Sequence, residues 1–109
     1  MSYSVELTEN FKKEAKRLSK KYPSLKADLD ELGKALSENP ASGTHLGNQI
    51  YKVRLAIKSK GKGKSGGARV MTQVKIVNQT VYLFSIYDKG EKENISDSEI
   101  KELIKDVPV

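Results

Sequence analysis

The chain has 109 residues, with 20 lysines and arginines against 14 aspartates and glutamates, one histidine and no cysteine. That length suits one domain with a compact core, and no run approaches the roughly 20 apolar residues a membrane span needs. Without cysteine there is no disulfide framework, thiolate zinc site or thiol nucleophile, and a solitary histidine excludes a two-histidine acid–base pair.

The opening Met1-Ser2-Tyr3-Ser4-Val5-Glu6 lacks the basic-then-apolar pattern of a secretory signal, so a soluble cytoplasmic protein is expected. Tyr3, Val5 and Leu7 alternate with polar residues, as in a short strand or a lead-in. Thr8 is placed to cap a helix whose apolar stripe is Phe11, Ala15, Leu18 and Tyr22, and Pro23 stops it. Ser24 is placed to cap a second helix, in which Leu25, Leu29, Leu32 and Leu36 repeat the same spacing until Asn39-Pro40. Two matching stripes joined by Tyr-Pro-Ser predict an antiparallel helical hairpin. Residues 40–49 read as a loop, with His45 exposed in it rather than catalytic.

The period then falls to two. Tyr51, Val53, Leu55 and Ile57 alternate with Lys52, Arg54, Ala56 and Lys58, a strand with a basic outer face. Residues 58–68, KSKGKGKSGGA, are expected to be a flexible loop. A second strand covers about Arg69 to Val77, Asn78-Gln79 turns, and a third covers Val81 to about Tyr87. In the third strand Tyr82, Phe84 and Ile86 share one side and Val81, Leu83, Ser85 and Tyr87 the other. Ser96 and Glu99 have the spacing of a capping box, Ile95 and Ile100 that of a hydrophobic staple, and Pro108 ends the last helix. The fold class is therefore α+β: an N-terminal helical hairpin packed on an antiparallel β-sheet meander, with a C-terminal helix, in a single domain over 1–109. The hairpin covers one sheet face. The other is expected to be open and basic, with Lys52, Arg54, Arg69, Lys75, Ser85 and Tyr87 pointing the same way.

The charge supports that face. Residues 50–89 carry nine basic groups and one acidic group, Asp88, whereas residues 90–109 carry three basic and six acidic groups. A basic block running through strands as well as a loop reads as a surface for a polyanion, against the plainer reading of a solvated lysine-rich loop. Gly63-Lys64-Ser65 is not a phosphate loop, because Lys58 stands where that motif requires glycine and a strand follows it. The side chains available suit phosphodiesters. Arg54 and Arg69 could hold phosphate oxygens, and Tyr87, near Arg69 and Lys89, either has a lowered pKa and serves as acid or base or is a strand-end tyrosine packing on a neighbour. RNA would supply its own nucleophile, the 2′-OH, which DNA lacks.

The segments Tyr51-Lys52-Val53-Arg54-Leu55-Ala56, Lys60-Gly61-Lys62-Gly63-Lys64-Ser65-Gly66-Gly67-Ala68-Arg69-Val70, Tyr82-Leu83-Phe84-Ser85-Ile86-Tyr87-Asp88-Lys89 and Glu91-Lys92-Glu93-Asn94-Ile95-Ser96 resemble the RelE/HigB branch of bacterial type II toxins, within the RelE/ParE superfamily. The resemblance covers roughly residues 3 to 106. It implies an mRNA endonuclease that works in the ribosomal A site without metal or other cofactor. The 2′-OH would attack, leaving a 2′,3′-cyclic phosphate and a 5′-OH. It also implies a cognate antitoxin, usually encoded by an adjacent gene, that wraps basic and apolar surface. Position by position, the family's basic pair on the first core strand matches Lys52 and Arg54. The arginine opening the next strand matches Arg69, and the basic position after the last strand matches Lys89, with Lys92 a second. Some members carry a tyrosine base in the C-terminal segment; no tyrosine follows Tyr87 here, which leaves Tyr87 as the candidate from the strand end. Gly90 stands where related sequences often have Asn. Lys58, Lys60, Lys62, Lys64 and Lys92, with Lys75 on the sheet, are assigned to RNA or ribosome docking. The alternatives are a gyrase inhibitor of the ParE type, a fold-sharing function, and a catalytically decayed toxin that binds only antitoxin or RNA.

Overall fold

The computed structural model describes residues 2–108; the two ends of the expected 1–109 domain, residues 1 and 109, lie outside the described residues. The elements in chain order are β1 (Ser4–Leu7), α1 (Glu9–Lys21), α2 (Leu25–Glu38), β2 (Thr44–His45), β3 (Ile50–Leu55), β4 (Ala68–Lys75), β5 (Thr80–Asp88) and α3 (Asp97–Leu103). The sheet order is β1-β5-β4-β3-β2. The expected meander β3-β4-β5 is antiparallel throughout. The N-terminal alternation is a true strand, added parallel to β5. His45 lies on the two-residue edge strand β2, exposed and stacked on Tyr51 with ring centroids 4.9 Å apart.

Each helix follows from its local chemistry. The Thr8 hydroxyl accepts from Phe11 N–H at 3.2 Å and caps α1, and Lys20 and Lys21 sit at its negative C-terminal end. Ser24, expected to cap α2, does not: its hydroxyl donates to Asp28 at 2.7 Å and meets Ser59 at 2.9 Å, tying the hairpin turn to the loop after β3. The capping box of α3 is complete, with Ser96 accepting from Glu99 N–H and the Glu99 carboxylate accepting from Ser96 N–H.

Three layers result. On one sheet face Phe11, Leu18, Leu25 and Leu36 from the helices bury against Val53, Leu55, Val70, Val81, Leu83 and Ile86. On the other, α3 and the residues on either side of it bury Ile95, Ile100 and Val107 against Ile50, Met71, Phe84 and Tyr87. The second face is therefore not open as expected, because the apolar stripe of the C-terminal helix needs a surface of its own and takes part of it. The order of β5 is also different. Met71 pairs with Ser85 but Thr72 with Leu83, so β5 holds one extra residue there. Tyr82, Phe84 and Tyr87 share the α3 face, and Ile86 joins Val81 and Leu83 beneath the hairpin. Ser85 correspondingly leaves the basic face and donates to Glu14 of α1 at 2.9 Å.

Candidate nucleic-acid interface

The β3–β4 register sets Arg54 opposite Arg69, and the β4–β5 register sets Arg69 opposite Tyr87. The three therefore form a row across three strands, with neighbours about 4.8 Å apart along it. Lys52 lies two residues along β3 on the same face, opposite Met71. Lys75 shares that face but stands six residues from Arg69 along β4, about 20 Å away, outside the group.

The members of the row differ in their freedom. Arg54 is exposed. Arg69 is only 7% exposed, and three of its five N–H donors are taken by the carbonyls of Lys64 (3.0 Å), Ala68 (3.1 Å) and Ser65 (3.3 Å). Tyr87 is 5% exposed, and its buried hydroxyl has no partner among the described residues. Burial pushes the Tyr87 phenol up, with Arg69 opposing and Glu99 adding to the rise. The expected lowering is thus corrected, since loss of solvent outweighs the neighbouring guanidinium. Tyr87 is a neutral phenol near pH 7.

A short segment covers the Tyr87 end of the row. Lys92 lies 5.8 Å from the centre of the Tyr87 ring and pairs with Glu99. Lys52 donates to Asn94 at 3.2 Å, and Lys89 to the Glu93 carbonyl at 2.6 Å. Ile95 anchors this segment in the α3 core. Lys52 and Lys89 thus hold this cover in place while Lys92 reaches over the Tyr87 ring.

The lysine loop has more structure than its composition suggests. Lys58–Lys60 form a turn of 3-10 helix closed by Gly61 with φ +73°. Asp28, 2% exposed, accepts from Lys58 N–H at 3.2 Å. A Cβ on Gly67 would stand 2.1 Å from the Leu55 carbonyl oxygen, so the end of the loop packs against β3 as only glycine can. The lysines assigned together to docking therefore separate. Lys62 and Lys64 are exposed, and Lys58 pairs with Glu31 at 3.1 Å. Lys60, with its side chain 12% exposed, pairs with Asp88 at 2.6 Å.

Asp88 is the site residue that sequence reasoning passed over. Burial alone would raise its carboxyl, but hydrogen bonds from Lys60, Tyr22 and Gly90 N–H hold it well below the usual carboxylate range. Its signal was present: it is the one acidic residue in a forty-residue basic block. Among the described residues no helix is long and apolar enough to cross a membrane.

Three comparisons bear on this geometry. No curated protein matches the chain by sequence. Among solved structures, a free-state mutant of E. coli toxin RelE superposes with a TM-score of 0.66 at 19% identity, covering 99% of this chain and 100% of that one. A chain of the toxin–antitoxin complex RelBE2 from Mycobacterium tuberculosis gives a TM-score of 0.58 at 15% identity over 81% of this chain and 99% of that one. At such identities the likeness speaks for the fold. A family model described as "RelE toxin of RelE / RelB toxin-antitoxin system" matches residues 5–107, nearly the whole chain, and the chain accordingly belongs to the RelE toxin family.

Proposed function

We propose that this chain is a cytoplasmic, ribosome-dependent mRNA endonuclease, the toxin half of a module whose partner is an antitoxin encoded nearby. The observation that carries the reading is the cross-strand row Arg54–Arg69–Tyr87, with Lys52 on the same strand as Arg54 and Lys92 over the Tyr87 ring, in a chain of this family. The reaction calls on no metal or other cofactor. The mRNA 2′-OH attacks the adjacent phosphorus, the P–O5′ bond breaks, and a 2′,3′-cyclic phosphate and a 5′-OH are left. Arg54 and Lys52 stabilise the charge that develops on the phosphorane oxygens. Arg69 adds its two remaining N–H donors and keeps the lysine loop at the edge of the site. Tyr87 is protonated near neutral pH, so it gives its proton to the departing 5′ oxygen and is reprotonated from solvent, while the proton of the attacking 2′-OH passes to solvent water. That role requires the segment carrying Lys92 to shift from the Tyr87 ring. Lys62 and Lys64 meet ribosomal RNA phosphates.

A second reading, binding to the ribosome without cleavage, draws on the closed position of the Tyr87 hydroxyl. One experiment separates them. In a translation extract the wild-type protein should cut mRNA within codons, and Arg54→Ala and Arg69→Ala should each abolish the cut. Growth arrest that survives both substitutions contradicts the proposal. Salt-sensitive ribosome binding with no cut product supports the second reading, and double-strand breaks in DNA with intact mRNA support a ParE-type gyrase inhibitor.

A further inference from the structure

Asp88 is buried to 1% exposure between Tyr87 and Lys89. Its carboxylate accepts from Tyr22 Oη at 2.5 Å, Lys60 Nζ at 2.6 Å, Gly90 N–H at 2.9 Å and Lys21 Nζ at 3.4 Å. Its backbone is equally engaged. Asp88 pairs with Ala68 across the sheet, and its carbonyl accepts from Glu91 N–H at 3.0 Å and Lys92 N–H at 2.9 Å. The next residue, Lys89, donates its N–H to the Gly67 carbonyl at 3.0 Å. Four pieces of the molecule meet at this residue: the first turn of the lysine loop through Lys60, its last turn through Gly67 and Ala68, the turn bearing Lys89 and Lys92, and the C-terminal end of α1.

We infer that Asp88 is a positioning residue for the RNA-facing surface, fixing the lysine loop and the 89–92 turn against the Arg54–Arg69–Tyr87 row. This deepens the proposed function and rests on it. A carboxylate so buried does not reach a substrate, so its action runs through the cations it holds. Lys60 is drawn inward and Lys58 pairs with Glu31, which leaves Lys62 and Lys64 as the outward lysines of the loop with no carboxylate partner among the described residues. From the other side Arg69 holds the carbonyls of Lys64 and Ser65. The loop is thereby gripped at its start by a carboxylate and at its end by a guanidinium. A buried ion pair adds little stability over an apolar pair of similar volume, so the role assigned to Asp88 is to select one arrangement of the loop and turn rather than to stabilise the fold.

The test uses the double variant Asp88→Asn/Lys60→Met, which removes both charges and so avoids leaving Lys60 buried alone. Thermal melting first establishes that the variant is folded. Brief trypsin treatment under native conditions then reads the order of the loop directly, since Lys62 and Lys64 are cleavage sites. Nicking there should accelerate on the order of tenfold as local opening becomes easier. In ribosome titrations of mRNA cleavage, the half-saturating ribosome concentration should rise by a similar factor, with the rate at saturation changed less. A folded double variant with wild-type nicking and wild-type titration overturns the inference. If the double variant does not fold, Tyr22→Phe, which deletes one hydrogen bond to the same carboxylate, takes its place. Faster nicking then supports the inference and an unchanged rate overturns it. Should the wild type cut no mRNA, the proposed function fails, while the nicking result still decides whether Asp88 orders the loop.

Discussion

Arg54 and Arg69 stand opposite each other in the sheet but have different tasks. Arg54 is exposed, so Arg54→Ala should remove mRNA cleavage while changing stability by no more than about 0.5 kcal/mol. Arg69 secures two loop carbonyls and that of Ala68, so Arg69→Ala should remove cleavage and also cost roughly 1–3 kcal/mol, measurable by urea denaturation. Asp88 brings a pH dependence. Its carboxyl lies far below the value of about 3.9 expected in the unfolded chain. A depressed folded-state pKa contributes stability that is present above the unfolded value and is lost as pH falls through it towards the folded one. Denaturation between pH 7 and pH 3 should therefore show an acid-side loss of stability that shrinks in Asp88→Asn. The basic residues of the row were legible because strand periodicity assigns faces. The closed Tyr87 hydroxyl was not, since the segment that covers it joins β5 to α3 and has no periodicity to reveal where it lies.

At the level of elements, the two helical stripes, the Thr8 cap and the Ser96 box could be read directly from spacing. The bulge in β5 could not, because Val81 to Tyr87 is apolar on both sides apart from Ser85 and offers two registers of similar merit. What selects the observed register is α1. Asn10 donates to the Phe84 carbonyl at 3.0 Å, and Glu14 accepts from Ile86 N–H at 3.2 Å and from the Ser85 hydroxyl at 2.9 Å. These two side chains satisfy backbone groups that the extra residue takes out of the ladder. The bulge restores Tyr87 to the face of Arg69, so α1 supports the site from the opposite side of the sheet. Glu14→Ala should orphan the Ile86 N–H and cost about 1–3 kcal/mol, whereas Glu14→Gln, which keeps an acceptor, should cost less. Gly67→Ala places a methyl group against the Leu55 carbonyl and should lower the melting temperature more than any other alanine substitution in the loop.

For the whole molecule, the charge asymmetry in the sequence acquires a geometry. The acidic C-terminal part does not lie apart from the basic sheet: Glu91 pairs with Arg17 and Lys21 of α1, and Glu99 pairs with Lys92 above Tyr87. Part of the basic excess is thus neutralised within the fold, and Arg54, Lys62 and Lys64 remain outward on the strand and loop that border the row. Ribosome association should accordingly weaken steeply with salt, and Lys62→Ala/Lys64→Ala should flatten that dependence while leaving the fold unchanged. The layer order could be anticipated only in part, since the apolar stripe of α3 announced that it must be buried but not that it would share a face with Arg54 and Arg69. The most direct test of the central claim is mRNA cleavage on programmed ribosomes by the wild type and by Arg54→Ala. The account predicts cuts within codons for the wild type and none for a variant that melts at the same temperature. Undiminished cutting by Arg54→Ala would contradict it.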